Sequence, residues 1–134
     1  MKTLTHPLTS HQNLRAYRRS CSLSSDIFWI TRRFSNEQGN PILAQLRRLG
    51  GLIPDHIIKA WSKRHEPRAY LKHLEYALKT VDELSHWIHV AGTCVQLSCD
   101  EHDILDGRVK EVRFLITRLF RENPTQRPFR IPTR

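Results

Sequence analysis

Long apolar runs are missing from this chain of 134 residues, and nothing in it approaches the roughly 20 residues of a membrane span, so no contact with a membrane is expected. The opening MKTLTHPLTSHQNL lacks the continuous apolar stretch of a secretory signal, which makes the cytoplasm the expected compartment. Cysteine is scarce: Cys21, Cys94 and Cys99 form an odd set that argues against a disulfide framework and predicts reduced, half-buried thiols. There is no CxxC pair, no phosphate-cradling GxxxxGK[ST] loop, no HExxH, no GxSxG, no zinc-finger pattern and no internal repeat. These absences weigh against the familiar enzyme classes, and neither a metal nor another cofactor is expected.

Positive charge is abundant. Lys and Arg number 22 against 13 Asp and Glu, a formal net charge of +9, which points to a polyanionic partner or to charge carried for solubility. The 39% hydrophobic and 26% charged content is otherwise that of an ordinary globular chain, long enough for one core and short for two.

Helical spacing recurs along the sequence. In the first segment Leu14, Tyr17, Cys21, Ser24, Phe28 and Thr31 follow steps of three and four and are expected to face inward, with Thr9 or Ser10 placed to cap the start and an end near Phe34. Turn formers fill Ser35 to Pro41, where Asn40 is placed to cap and Pro41 to open the next helix. The second segment buries Ile42, Leu46, Leu49, Ile53 and Ile57, with an interruption expected at Gly50, Gly51 and Pro54; the paired glycines are also the place for a close approach by a neighbouring helix.

After Pro67 the third segment carries Leu71, Leu74, Leu78, Val81, Leu84 or Ser85, Ile88, Gly92 and Val95 on one stripe. A second stripe of Tyr70, Ala77, Leu84 and Ala91 repeats every seven residues, flanked by Tyr76 and Trp87. Two stripes on one helix fit either a second subunit or two neighbours within one bundle, and periodicity does not separate these. The fourth segment opens at Asp100 and Glu101, where acidic residues suit a helix N-terminus, and turns Ile104 or Leu105, Val109, Val112, Ile116 and Leu119 inward until Pro124. Four helices on short loops predict an all-α, antiparallel up-down-up-down bundle over residues 11–123, between a flexible segment 1–10 and a basic, Pro-containing tail 124–134 with Arg127, Arg130 and Arg134.

Opposite the apolar stripe of the fourth segment lie Arg108, Lys110, Arg113, Arg118 and Arg121; with Arg15, Arg18, Arg19, Arg47 and Arg48 they are the candidate phosphate contacts. His86, His89, Cys94, Cys99 and His102 match metal-ligand spacings poorly, because Cys94 and Cys99 are expected to straddle a helix end. Glu75, Asp82 and Glu83 sit among basic residues and read as ion-pair partners rather than as paired catalytic acids. Cys21 follows Arg18 and Arg19, but no histidine and carboxylate can be assigned to it, so it reads as a structural thiol.

The stretch QLRRLGGLIPDHIIKAW (45–61), followed by Tyr70-Leu71 and by ALKTVDELSHW (77–87), resembles the four-helix-bundle family encoded in 23S rRNA intervening sequences, with a similarity running from about Leu14 to Arg121. The family pattern QLRRAAxSIPxNIAEG is matched at Gln45-Leu46-Arg47-Arg48 and at Ile53-Pro54, and its later SLxEL element at Glu83-Leu84. Leu52, His56, Lys59 and Ala60 stand where that pattern has Ser, Asn, Glu and Gly. The resemblance implies assembly as a ring-like homopentamer and no enzymatic activity. It also brings in the related accessory variability proteins of diversity-generating retroelements, which bind nucleic acid and a reverse transcriptase.

The expectation is therefore a homo-oligomer that binds structured RNA or DNA without strong sequence preference. A protein scaffold using Trp29, Trp61 and Trp87, or an enzyme built on Cys21 or the histidines, are the competing expectations.

Overall fold

The computed structural model describes residues 11–34, 40–94 and 96–122. Segment 1–10, the Thr9 and Ser10 cap candidates, Pro124 and the basic tail lie outside the described residues. Helices run over His11–Thr31 (α1), Pro41–Ser62 (α2), Pro67–Thr93 (α3) and Cys99–Arg121 (α4). Each packs against its neighbours in the chain, and α1 closes the ring against α4. Across every such pair, residue numbers rise on one helix as they fall on the other. Arg33 meets Glu101 while Arg19 meets Glu111, and Arg48 faces Glu83 while His56 faces Tyr76. The up-down-up-down bundle follows.

Local chemistry sets the ends. The Asn40 side chain accepts a hydrogen bond from the Leu43 amide at 3.2 Å, with Pro41 opening α2 as its sequence predicts. At α4, Ser98 and Glu101 form a reciprocal capping box that satisfies two amides otherwise left without partners. α1 ends at Thr31, three residues before the expected Phe34, whose amide closes a last turn onto the Thr31 carbonyl at 3.0 Å.

The inward face of α1 differs from expectation. Among the residues of α1 whose side chains are described, the buried ones are Asn13, Ala16, Ser20, Leu23, Ile27 and Thr31; Leu14, Tyr17, Cys21 and Ser24 are half-buried, and Phe28 is exposed. Two stripes one residue apart share the same spacing, and the true one contains polar residues that a hydropathy reading passes over. Each of these has its partner: Asn13 donates to the Tyr70 hydroxyl at 3.0 Å, Ser20 to the Tyr17 carbonyl at 2.8 Å and Thr31 to the Ile27 carbonyl at 2.7 Å.

α2 is one continuous helix through Gly50, Gly51 and Pro54, not an interrupted one. Burial of Leu46, Leu49, Ile53 and Ile57 between α1 and α3 outweighs the hydrogen bond that Pro54 cannot donate. Leu43 rather than Ile42 is the first fully buried residue. Gly50 is the point of close approach, since a Cβ there would lie 3.0 Å from Ile27 Cδ1, whereas Gly51 faces open space.

Among the described residues both stripes of α3 turn toward the core, with Leu71, Leu78 and Gly92 of the first only half-buried; Val95 lies outside the described residues. Tyr70, Ala77, Leu84 and Ala91 are buried together with Leu74, Val81 and Ile88, and Trp87 packs half-buried against the same core. The second stripe thus meets a neighbouring helix and requires no second subunit. On α4, Leu105 is buried and Ile104 exposed, with Val109, Val112, Ile116 and Leu119 inward as expected and Leu115 added.

Candidate nucleic-acid interface

The five candidate cations of α4 are mostly neutralised within the fold. Arg108 pairs with Asp26 of α1, Lys110 with Asp106 at 3.0 Å, Arg113 with Asp82 of α3 at 2.8 Å and Arg118 with Glu122 at 3.4 Å. Exposed pairs of this kind add little stability, but they cancel charge locally. Asp82 raises the affinity of the Arg113 guanidinium for its proton, through hydrogen bonding first and charge second. Arg121 is exposed in the last turn, where a cation also answers the C-terminal end of the helix dipole.

α1 is different. Asp26 is its single acidic residue, and that carboxylate is held by Arg108. Arg15, Arg18, Ser22, Ser25, Trp29 and Arg32 follow steps of three and four and are all exposed, forming one solvent-facing stripe about 25 Å long. Arg15 and Arg18 have no acidic partner among the described residues. Arg19, beside the stripe, pairs with Glu111 at 3.3 Å. A cleft of about 340 Å³ opens along Leu14, Arg15, Arg18, Arg19 and Ser22.

The other end of the stripe is aromatic. Trp29 is 59% exposed and Phe28 49%, their rings set edge to face at 5.9 Å. The Arg32 guanidinium lies 4.5 Å from the indole centroid, and Arg47, which donates to Thr31 Oγ1 at 2.9 Å, lies 5.1 Å from the Phe28 ring. Arg48 is turned toward Gln45 on its own helix and Glu83 of α3. Next to this end Arg33 is committed to structure: it donates to Glu101 and to the Gln96 carbonyl, clamping α1 to the start of α4. The Arg33 hydrogen bond holds the Glu101 carboxyl below its ordinary range; burial opposes this, and bonds from Ser98 reinforce it.

Sequence spacing places Phe28 in the core and passes over Arg32; the structure puts both at the surface. The spacing of Arg15, Arg18, Ser22, Ser25, Trp29 and Arg32 is itself a helical stripe in the sequence, masked by the neighbouring half-apolar one. Of the three tryptophans, Trp61 is buried beneath Arg64, Trp87 is half-buried and Trp29 is open.

The other chemical candidates do not converge. His86 packs on Trp87 and Cys94 lies exposed at the end of α3. Cys99 is exposed too, so only Cys21 is the half-buried thiol expected, and all three cysteines are free. His89 and His102 face each other at 6.1 Å across a cleft also lined by Cys99 and Asp103, but no group of three or more ligands able to hold a metal occurs among the described residues. Cys21 hydrogen bonds with Tyr17, which together with burial pushes the phenol above its ordinary value. Asp82 and Glu83 are ion-pair partners, of Arg113 and Arg48, as predicted, whereas Glu75 is exposed and makes no ion pair among the described residues. His56, which replaces the Asn of the resemblance, is half-buried against Tyr76, and its pKa is lowered by burial and then by Lys59 and His73.

No helix among the described residues is long and apolar enough to cross a membrane. The sequence matches the family model described as 23S rRNA-intervening sequence protein over residues 12–118. Among solved structures, it is similar to a protein with unknown function from the S23 ribosomal protein family of Bacteroides thetaiotaomicron VPI-5482. That similarity has a TM-score of 0.75 at 17% identity and covers 82% of this chain and 98% of the other. No curated protein matches the sequence.

Proposed function

The chain belongs to the 23S rRNA-intervening sequence protein family, and from that premise and the charge on α1 we propose that it is a non-enzymatic, homo-oligomeric nucleic-acid-binding protein of low sequence specificity. One observation carries the reading: Arg15 and Arg18 are exposed and lack acidic partners among the described residues, whereas Arg108, Lys110, Arg113 and Arg118 are paired. A free guanidinium releases counterions from a phosphate backbone without first giving up an internal carboxylate. The proposed interface therefore centres on α1 rather than on α4. Pentameric assembly in the cytoplasm, and service as an accessory to a reverse transcriptase or to rRNA, belong to the same proposal and rest on the resemblance.

Light scattering coupled to salt-titrated binding of a structured RNA and a duplex DNA tests this. Affinity is expected to fall steeply with salt, and R15Q/R18Q to flatten the slope by about two on the logarithmic scale, roughly one for each phosphate that is no longer neutralised. R108Q/R113Q is expected to change the slope much less. Salt-insensitive binding, or none, would refute the reading. A second reading, a protein scaffold anchored by an exposed aromatic, is favoured by Trp29 alone, since Trp61 is buried and Trp87 half-buried.

A further inference from the structure

We infer that the solvent face of α1 takes unpaired nucleotides, a base stacking on the Trp29 ring, which Phe28 braces edge to face, while Arg15, Arg18 and Arg32 engage the phosphates. This rests on the nucleic-acid reading of the same face and adds what that reading leaves open, the strandedness of the ligand. Phosphate contact alone would need only the cations. Two large rings held more than half, and about half, in solvent at one end of a cationic stripe are a different kind of group.

A duplex keeps the faces of its bases in its own stack, so exposed rings gain little from one. An unpaired base presents a π face that any aromatic ring can receive, whatever its identity. Arg32, 4.5 Å from the indole centroid, is positioned both to stiffen the ring and to meet the phosphate of a base stacked on it. Phe28, edge-on to Trp29 and approached by Arg47 at 5.1 Å, holds that ring from the α2 side. From there the stripe continues through Ser25 and Ser22 to Arg18 and Arg15, exposed at every step and without a carboxylate. An anionic ligand carrying its own aromatic faces complements the whole stripe. A second copy presenting the same face would oppose arginine to arginine.

The test compares a short fluorescein-labelled oligouridine with a blunt RNA duplex of equal length, binding each to the full chain and to the W29A, W29F and R15Q/R18Q variants. Trp29 is exposed, so the variants are expected to keep the wild-type far-UV spectrum and melting point. The expected result is preference for the oligouridine, a loss of roughly tenfold or more on it in W29A, near-complete retention in W29F and little change on the duplex. Quenching of tryptophan emission by oligouridine should be lost in W29A, because the emission that remains comes from a buried and a half-buried indole. Equal binding of both ligands with no effect of W29A overturns the stacking inference and leaves phosphate binding standing, provided R15Q/R18Q still flattens the salt slope. A W29A variant that retains oligouridine but loses its oligomeric mass in light scattering also overturns it, and assigns the rings to contact between copies. Failure of both nucleic acids to bind sinks this inference together with the function it rests on.

Discussion

Adjacent glycines in α2 give opposite predictions for the same substitution. Replacing a helical glycine by alanine is worth up to about 1 kcal/mol through propensity when the methyl has room. At Gly51 an added Cβ meets nothing within 4 Å, so G51A should stabilise by roughly that amount, a rise in Tm of about 3–4 °C for a chain of this length. At Gly50 the same Cβ lies 3.0 Å from Ile27 Cδ1 and 3.6 Å from the Ser24 Cα. Ile27 is fully buried, so its terminal methyl must shift within a packed core. That costs about 1–3 kcal/mol, which cancels or exceeds the propensity gain. G50A should therefore melt at or below the wild type. The origin of the penalty is separable by a double-mutant cycle: I27V removes Cδ1, at a cost of about 0.5–1.5 kcal/mol by itself, and should make G50A stabilising in its background. Thermal and urea unfolding followed by far-UV circular dichroism reads all four states. If G50A stabilises as much as G51A, or if I27V leaves the effect of G50A unchanged, the close approach of α1 and α2 at this point is not what sets the choice of glycine.

N13A should destabilise by about 1–3 kcal/mol, because the buried Tyr70 hydroxyl loses the side chain that donates to it across the bundle; urea unfolding measures this, and the double variant N13A/Y70F should recover part of the loss. Glu101 gives an acid-limb prediction. Its folded pKa lies below its unfolded value, so its contribution is complete above the ordinary carboxylate pKa and is lost as pH falls from there through the lower folded value. E101Q should lack that part of the pH dependence in melts across the acid range, whereas E83Q, whose carboxylate meets Arg48 only at 4.0 Å, should keep it.

How far the sequence can be read differs from element to element. The start of α2 is plain because Asn40 and Pro41 act within a turn of themselves. The acidic first turn Asp100-Glu101 places the start of α4 to within a residue, although the Ser98 cap that completes it carries no signal in the apolar spacing. The phase of α1 is not plain, because Asn13 and Ser20 are buried at no penalty once each has a hydrogen bond, and the Asn13 bond comes from 57 residues away. Continuity through Pro54 is hidden for a related reason: local propensity argues for a break, and the helices packed on either side overrule it.

The charge of +9, the four helices and their order around the bundle follow from composition and short-range spacing, which fix what each segment is and how much apolar surface it must hide. Which arginines remain available to a ligand is a different kind of fact. Asp26 and Asp82 reach Arg108 and Arg113 only because the antiparallel packing of α1 and α3 against α4 brings residues far apart in the chain to one level of the bundle. The same packing turns Phe28 outward beside Trp29 and buries the second stripe of α3. Spacing along one helix sets which residues share a face, but the neighbour against which that face lies is set by the other three helices, and with it the charge left over for function.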